Sequence, residues 1–244
     1  MNCTSGSKSV SPTFTIGGSG IENVDQWPHL GHIISTNFND QADILHRRNC
    51  FIGQVNNVLC TFGKLDSYIM NRLFKVYCSS FYGCELWDLD NKYLTDLCIA
   101  WRKGLRRVWR LPNTTKGDML AVISDSIPVY DELCRRFLNF VFSCMNCGSE
   151  LVEFFVRFGV HQACMKSPLG RNARFCAIRF GLSVSDIGRC RLNRTCFADK
   201  FTSQLPAGFM DRVCFAYEVI AIREGQLTMM NHDFSREEVD DIIA

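Results

Sequence analysis

The sequence predicts a mainly α-helical protein, in which a short N-terminal β-hairpin precedes a helical bundle and a loop-rich basic segment comes before the C-terminal helices. Apolar residues recur at intervals of three and four through most of residues 37–158, which is the spacing of amphipathic helices. Apolar and polar residues alternate only near the N-terminus. With 244 residues and 47% hydrophobic content, the chain can bury a sizeable core in one or two domains.

The N-terminus divides into a polar tail and the predicted hairpin. Residues 1–11 are rich in Ser, Gly and Lys and are predicted to be disordered. Over residues 12–36, TFTI alternates between apolar and polar side chains, Gly17 and Gly18 supply a turn, and HLGHIIS supplies a later strand. Pro28 suits the edge or the entry of a strand.

Residues 37–158 are predicted to form one helical domain. Its segments with helical periodicity are DQADILHRRNCFIGQVNNVLC, LDSYIMNRLFKVYCSSFYGCELW, KYLTDLCIAWRKGLRRVWRLP, a short helix before a proline-containing break, about four turns from Val129, and ELVEFFVRFGV. The third of these helices is expected to stop at Pro112, because a residue before proline avoids the helical conformation.

Residues 159–244 are predicted to form a basic region with loops first and helices later. Apolar periodicity fades over residues 162–196, where seven cations accompany one acid, so this stretch is predicted to be loop-rich. GFMDRVCFAYEVIAIREGQL, residues 208–227, is predicted to be the last long helix. A further helix begins in FSREEVDDIIA, with Ser235 as its N-cap and Glu238 completing a capping box.

The overall charge restricts the possible classes of function. There are 27 basic and 25 acidic residues, so any binding of nucleic acid must depend on a local patch. No apolar run is long enough to cross a membrane, and the polar N-terminal residues do not resemble a secretory signal. We therefore expect an intracellular protein without a membrane partner, and the sequence does not distinguish nucleus from cytoplasm.

The stretch WRKGLRRVWRLP, residues 101–112, is the most basic helical pattern. Its cations are Arg102, Lys103, Arg106, Arg107 and Arg110. On a helix, Arg102, Arg106 and Arg110 share a stripe with the other two beside it. The opposite side carries Trp101, Leu105 and Val108. Such a cationic side can neutralise phosphates without reading sequence, and the alternative is an ordinary solvated face of a packed helix.

Two smaller basic clusters are weaker candidates. Arg171 and Arg174 lie in the basic segment 166–194, where phenylalanines between the arginines could stack on unpaired bases. Their irregular spacing favours a solvated loop instead. Arg47 and Arg48, on the first predicted helix, could meet a backbone phosphate, but the pattern favours an ordinary solvent face.

The fourteen cysteines are predicted to be mostly reduced thiols in the core, because many lie within apolar helical patterns. Examples are Cys60, Cys78, Cys98, Cys134 and Cys214. A zinc-like spacing occurs in Cys144, Cys147, His161 and Cys164. A predicted helix separates the two halves of this set, and the second half would have to fold back along it. We therefore predict no metal site and no cofactor.

Three segments, in order, resemble the reverse transcriptases of non-LTR (LINE-type) retrotransposons. IENVDQWPHLGHIIS resembles the segment that follows the family's catalytic motif, and LFKVYCSSFYGCELWDL with WRKGLRRVWRLP resembles its helical thumb. SPLGRNARFC and FSREEVDDIIA resemble the region after the thumb. The resemblance covers roughly residues 12–244 and implies that residues 37–158 are a thumb-like bundle. It also implies that Leu30 and Gly31 lie near the primer end, where Gly31 allows a close backbone approach.

The chain departs from this family at the catalytic carboxylates, which hold two divalent metals in polymerases. The family's aromatic-x-Asp-Asp hairpin lies upstream of the leucine–glycine pair, and none precedes it here. The one Asp-Asp pair, Asp240 and Asp241, is near the opposite end, and FADK offers one carboxylate with Lys200 in place of the second.

The resemblance therefore implies a catalytically incomplete thumb that binds RNA or a DNA–RNA hybrid. A palm and fingers polypeptide would be needed for polymerase activity. The alternative is a helical protein-interaction module, or an inert remnant that binds no nucleic acid. A thumb separated from its palm should expose an apolar patch where the two docked, whereas a module adapted to stand alone should have covered it.

Overall fold

A computed structural model describes residues 14–162, 166–183 and 187–188. These residues are mainly helical, with antiparallel strand pairs at the N-terminal end, so the predicted fold class is confirmed. The predicted disorder at residues 1–11 and the helices predicted from residue 208 onward lie outside the described residues. Within the described residues, no helix combines the length and apolarity needed to cross a membrane.

The N-terminal strands form two hairpins rather than the single predicted one. The strands are β1 (Phe14–Ile16), β2 (Ser19–Ile21), β3 (Gln26–His29) and β4 (His32–Ser35). Gly17 and Gly18 turn the first hairpin, as predicted. Leu30 and Gly31 turn the second, with φ angles of 47° and 81°. Positive φ at both central residues matches the right-handed twist of the flanking strands, which explains a second tight turn.

The second hairpin is attached to the first helix through its backbone. Pro28 lies opposite Ile33 in the β3–β4 pair. The Ile33 N–H donates to Asp43 Oδ1 at 3.0 Å, so it points away from β3. This cross-strand position needs no donor from β3, and Pro28 fits there without loss of a ladder hydrogen bond.

Seven α-helices follow in the described residues. They are α1 (Gln41–Phe62), α2 (Ser67–Leu73), α3 (Tyr93–Val108), α4 (Gly117–Ile123), α5 (Val129–Met145), α6 (Glu150–Arg157) and α7 (Pro168–Phe180). Both α2 and α6 continue into a π-helical turn, Phe74–Cys78 and Phe158–Gln162 respectively. The helices predicted from the periodicity at α1, α3, α5 and α6 are confirmed.

The second predicted helix is interrupted in the structure. Its helical part ends at Cys78, and only a 3-10 turn, Cys84–Leu86, follows. Phe81 and Gly83 have φ angles of 34° and 81°, which a continuous helix excludes. A Cβ at Gly83 would lie 2.0 Å from His32 Nε2, so glycine also allows the hairpin to approach this turn.

Helix α3 ends before the predicted stop at Pro112. The Leu111 N–H donates to Arg106 O at 2.8 Å and the Arg110 N–H donates to Arg107 O, which is a Schellman ending. Arg110 takes the left-handed position of this motif, with φ of 52°. The prediction that Arg110 continues the helical stripe of Arg102 and Arg106 is therefore wrong.

The core forms where α1 and α3 cross. Gly104 permits their close approach, since a Cβ there would lie 3.1 Å from the Phe74 ring and 3.4 Å from the Phe51 ring. The Phe51 and Phe74 rings meet edge to face with centroids 5.7 Å apart. A bulkier residue at position 104 would separate the two helices that carry the candidate site.

The loop-rich prediction is wrong for residues 168–180, which form α7. Ser167 Oγ caps this helix by accepting from the Gly170 N–H at 2.8 Å, and Gly181 ends it in the left-handed conformation. Its buried face is made of small residues, including Ala173, Cys176 and Ala177. Small residues give a weak periodic signal, but the Ser-Pro start and the glycine end were visible in the sequence.

The cysteines in the described part of the chain are free thiols. Burial is confirmed for Cys78 and Cys134, and Cys98 is half-buried. The prediction is wrong for Cys60, which is exposed on α1, and Cys214 lies outside the described residues. Burial raises the pKa of Cys78 to about 11, which keeps this thiol protonated at neutral pH.

Candidate nucleic-acid interface

The apolar side of α3 fixes the direction of its cations. Trp101, Leu105 and Val108 are buried, with exposed fractions of 5%, 0% and 2%. This burial confirms the predicted apolar side. Because a helix places residues three and four apart on the same side, the cations lie along its outer margins.

On one margin, Arg102 and Arg106 contact the loop that leads to α4. Arg106 donates from Nε and Nη2 to the Thr115 carbonyl, at 3.1 and 2.5 Å. The aliphatic stem of Arg102 packs beside Gly117, where a Cβ would lie 3.0 Å from Arg102 Cδ. Burial lowers the pKa of Arg106, and the charge of Arg102 lowers it further.

On the other margin, Arg107 and Arg110 contact α1 and the loop after it. Arg107 Nη1 donates to Asn56 Oδ1 at 2.6 Å. Arg110 Nη2 donates to the carbonyls of Gly63 and Leu65, each at 3.1 Å. The left-handed backbone at Arg110 turns its side chain toward these carbonyls, which a continued helix would not do.

Lys103 is exposed on α3 between these two margins. We call the set of five the α3 cationic surface, made of Arg102, Lys103, Arg106, Arg107 and Arg110. The structure thus keeps the five predicted cations on one helix and its ending, but distributes them over both margins instead of one stripe.

Several arginines of the chain form ion pairs, whereas the four cations on α3 itself form none within the described residues. Arg135 and Arg136 pair with Glu132, Arg157 with Glu153, Arg171 with Asp88, and Arg179 with Asp131. Among the described residues, none of the ion pairs includes Arg102, Lys103, Arg106 or Arg107. A carbonyl or amide acceptor orients a guanidinium without cancelling its charge, so the α3 cationic surface keeps a net positive potential.

Arg106 and Lys103 are expected to differ in their effect on stability. Arg106→Gln removes two charge-assisted hydrogen bonds to the carbonyl of the buried Thr115, and we expect it to lower the free energy of unfolding by about 1.5 kcal/mol. Lys103→Gln should change it by less than about 0.5 kcal/mol. Urea denaturation of both variants measures the difference. Equal losses would show that the Thr115 contact contributes nothing to stability.

The other predicted cations lie apart from this surface. Arg171 is partly neutralised by Asp88 at 3.4 Å, and Arg174 is exposed on α7. Arg48 Nη1 donates to the neighbouring Asn49 at 3.1 Å. Arg47 donates to the Gly31 carbonyl and lies over the Tyr82 ring, 5.6 Å from its centroid. These contacts give Arg47 a structural role, which is to hold the tip of the second hairpin.

The second hairpin carries Leu30 and Gly31 at its tip. Leu30 is 77% exposed. The other exposed apolar residues here are Trp27 and Ile34, which pair across the strands, and Phe38, which is 93% exposed. We call these four residues the hairpin apolar patch. A groove of about 820 Å³ adjoins it, lined in part by Leu30, Ile34, Phe38, Tyr82 and Leu86.

A buried network around Asp43, which the sequence did not predict, holds this hairpin in place. Asp43 is 1% exposed, and its Oδ2 accepts from Trp87 Nε1 at 2.7 Å. His32 places Nδ1 2.9 Å from Asp43 Oδ2 and Nε2 2.8 Å from the Gly83 carbonyl. Asp43 Oδ1 accepts from the Ile33 N–H. The carboxylate thus joins the hairpin, α1 and the YGCELW turn.

The hydrogen bonds of this network give each of its polar side chains a partner. The Gly83 carbonyl can only accept, so His32 Nε2 donates to it. The other ring nitrogen, Nδ1, faces the Asp43 carboxyl group, which also accepts from Trp87 and from the Ile33 backbone. No local pattern predicts this network, because Trp87 lies 44 residues from Asp43 and Gly83 lies 51 residues from His32 along the chain.

The zinc-like set is not assembled within the described residues. Cys144 is half-buried at the end of α5, Cys147 is exposed in the following loop, and His161 is exposed after α6. Cys164 lies outside the described residues. In the part of the chain that the structure describes, no three His, Cys, Asp or Glu side chains converge on a possible metal position.

Comparisons of the chain with protein-family models, with characterised proteins and with solved structures find no match. Its function is therefore inferred from the positions and charges of its own side chains.

Proposed function

We propose that this chain is the thumb and downstream region of a non-LTR reverse transcriptase and binds RNA or a DNA–RNA hybrid through the α3 cationic surface. In this proposal the chain catalyses no polymerisation by itself. A palm and fingers polypeptide would supply the metal-binding carboxylates.

The uncompensated charge on α3 is the observation that carries the proposal. Arg106 and Arg107 are oriented by Thr115 and Asn56, and Lys103 is exposed between them. Such preorganised cations neutralise phosphates with little loss of side-chain freedom. Contacts to phosphate alone give binding that falls steeply with salt and does not depend on base sequence.

The hairpin apolar patch supports the part of the proposal in which a second polypeptide binds this chain. Trp27 and Leu30, on the second hairpin, are 60% and 77% exposed, and Phe38, three residues after β4, is 93% exposed. Exposed apolar clusters mark surfaces that bind other proteins. A palm that packs against the hairpin would cover them, as a partner of a helical interaction module would. The cationic surface favours the first of these two interpretations.

Binding to a labelled DNA–RNA hybrid at about 50 and 200 mM salt tests the proposal. We expect Lys103→Gln/Arg107→Gln to weaken binding and to reduce the slope of log affinity against log salt by about two. Arg106 is left unchanged because it also supports Thr115. The matched control is Lys92→Gln/Arg157→Gln, which removes the same charge from positions outside the α3 cationic surface.

Two outcomes would reject nucleic-acid binding through this surface. One is the absence of binding at low salt, and the other is an equal salt slope for the unmodified chain and Lys103→Gln/Arg107→Gln. A single-stranded RNA and a duplex DNA of equal length, tested in parallel, measure whether the hybrid is preferred.

A further inference from the structure

Helix α6 and the π-helical turn after it have two apolar sides. Val156 and Val160 are 6% and 0% exposed, and this side packs into the core. The second side is formed by Leu151, Phe154, Phe155 and Phe158. They follow one another at intervals of three, one and three, so they form a continuous stripe. We call this stripe the α6 aromatic face.

The α6 aromatic face is uncovered in the described residues. Leu151, Phe154 and Phe155 are 66%, 61% and 60% exposed, and Phe158 is 44% exposed. The Phe154 ring meets the Phe155 ring edge to face at 5.6 Å and stacks on the Phe158 ring at 6.2 Å. The ion pair between Glu153 and Arg157 leaves little net charge beside the rings. This face therefore suits an apolar helix with few charges rather than a charged ligand.

Residues 208–227 of the same chain have the matching pattern. Phe209, Val213, Ala216 and Ile220 follow at intervals of four, three and four, which is an apolar stripe on the predicted helix. The acids and bases of this segment nearly balance. A helix of this length is marginal in water unless its apolar side is buried, so the segment requires a surface to pack on.

The path of the chain brings this segment to the neighbourhood of α6. Ile187 is 4% exposed, and a Cβ at Gly188 would lie 2.1 Å from Met145 Sδ. Met145 is the last residue of α5, and α6 begins at Glu150. The chain thus leaves the described residues beside the turn that leads into α6. About twenty residues then separate Gly188 from the segment, enough to reach this face at up to about 3.3 Å per residue.

We propose that the α6 aromatic face is the docking site of residues 208–227 of the same chain. The two apolar stripes pack against each other as neighbouring helices do. A tethered segment has an effective concentration in the millimolar range, which gives it an advantage over a second copy of the chain. This docking is independent of nucleic-acid binding at α3.

Limited trypsin digestion of the full chain tests the docking. Arg212 and Arg223 lie inside the segment and should be protected while it is packed. We expect Phe154→Ser/Phe155→Ser to accelerate cleavage at both sites by about tenfold or more, because cleavage follows the population of the undocked state. Val213→Asp/Ile220→Asp, on the segment itself, should have the same effect.

The control is Val76→Ser/Tyr77→Ser, which removes two apolar side chains that are 71% and 60% exposed on another turn. It should leave the cleavage rates at Arg212 and Arg223 unchanged. The docking is overturned if the unmodified chain and Phe154→Ser/Phe155→Ser are cleaved equally fast. It is also overturned if the α6 variant alters only the molar mass in solution, because the occupant would then be a second copy.

Discussion

Asp43→Ala is expected to lower the free energy of unfolding by about 4 kcal/mol, because it leaves the Trp87 indole N–H, the Ile33 N–H and the His32 ring without their common partner. The carboxylate is 1% exposed and accepts from Trp87 Nε1 and the Ile33 N–H. It also pairs with the His32 ring at 2.9 Å. Alanine at this position cannot replace any of these contacts. Urea denaturation measures the loss.

The same substitution should release the second hairpin before the rest of the chain unfolds. Hydrogen exchange of residues 26–35 should accelerate in Asp43→Ala more than exchange in α5. Asp96→Ala, at an exposed position on α3, is the matched control and should cost less than about 0.5 kcal/mol. A loss of similar size in both variants would contradict the role assigned to the Asp43 network.

Glu132→Gln is expected to cost about 3 kcal/mol, because Glu132 compensates two half-buried arginines. Arg135 donates to it at 2.6 and 2.8 Å, and Arg136 donates at 3.1 Å. Arg136 also donates to the carbonyls of Ser79 and Ser80. The contact between Glu132 and Arg136 thus holds the irregular turn that lies between α2 and the segment YGCELW. Glutamine retains part of the hydrogen bonding but removes the negative charge.

The stability contributed by Glu132 should depend on pH. Burial alone would raise the pKa of Glu132, but the hydrogen bonds and charges of Arg135 and Arg136 outweigh burial and leave its pKa below the ordinary value. A carboxyl with a lowered folded-state pKa contributes fully above the unfolded-state pKa, about 4.3, and loses this contribution as pH falls through the folded-state pKa. The difference between the unmodified chain and Glu132→Gln should therefore shrink below about pH 4.

Comparing the two proteins by urea denaturation at neutral pH and at several acidic pH values cancels most contributions of other carboxyls. Asp40 and Asp131, whose pKa values are raised mainly by burial, act in the opposite direction and are present in both proteins. Glu153→Gln removes an exposed ion pair and should be nearly neutral at every pH. A pH-independent cost of Glu132→Gln would contradict the lowered pKa.

Periodicity predicted those elements whose own side chains decide their structure. Helices α1, α5 and α6 lie where apolar residues recur at three and four, because each must bury one side. The same pattern predicted which residues of α3 are buried. Gly17 and Gly18 predicted a turn because glycine adopts positive φ readily.

Other features depended on contacts between distant residues, and the sequence failed there. The helical pattern predicts Arg110 on the stripe of Arg102 and Arg106. In the structure Arg110 has a left-handed backbone, and its side chain donates to the carbonyls of Gly63 and Leu65 instead. The second predicted helix ends at Cys78, and Gly83 lets the His32 ring lie against the turn that follows. Residues 168–180 form a helix with a buried face of small residues. That face is stabilised by packing against α5, which the local sequence pattern does not indicate.

The sequence by itself thus determined the fold class, the main helices and the presence of five cations near residue 106. Only the tertiary structure decided that the four cations on α3 form no ion pair within the described residues, that Asp43 holds the second hairpin, and that the described residues leave a second apolar side of α6 uncovered. The physical reason is that local patterns specify which side of a helix is apolar. The residues that pair with a charge or cover an apolar side lie tens of positions away in the sequence. Only folding brings them into contact.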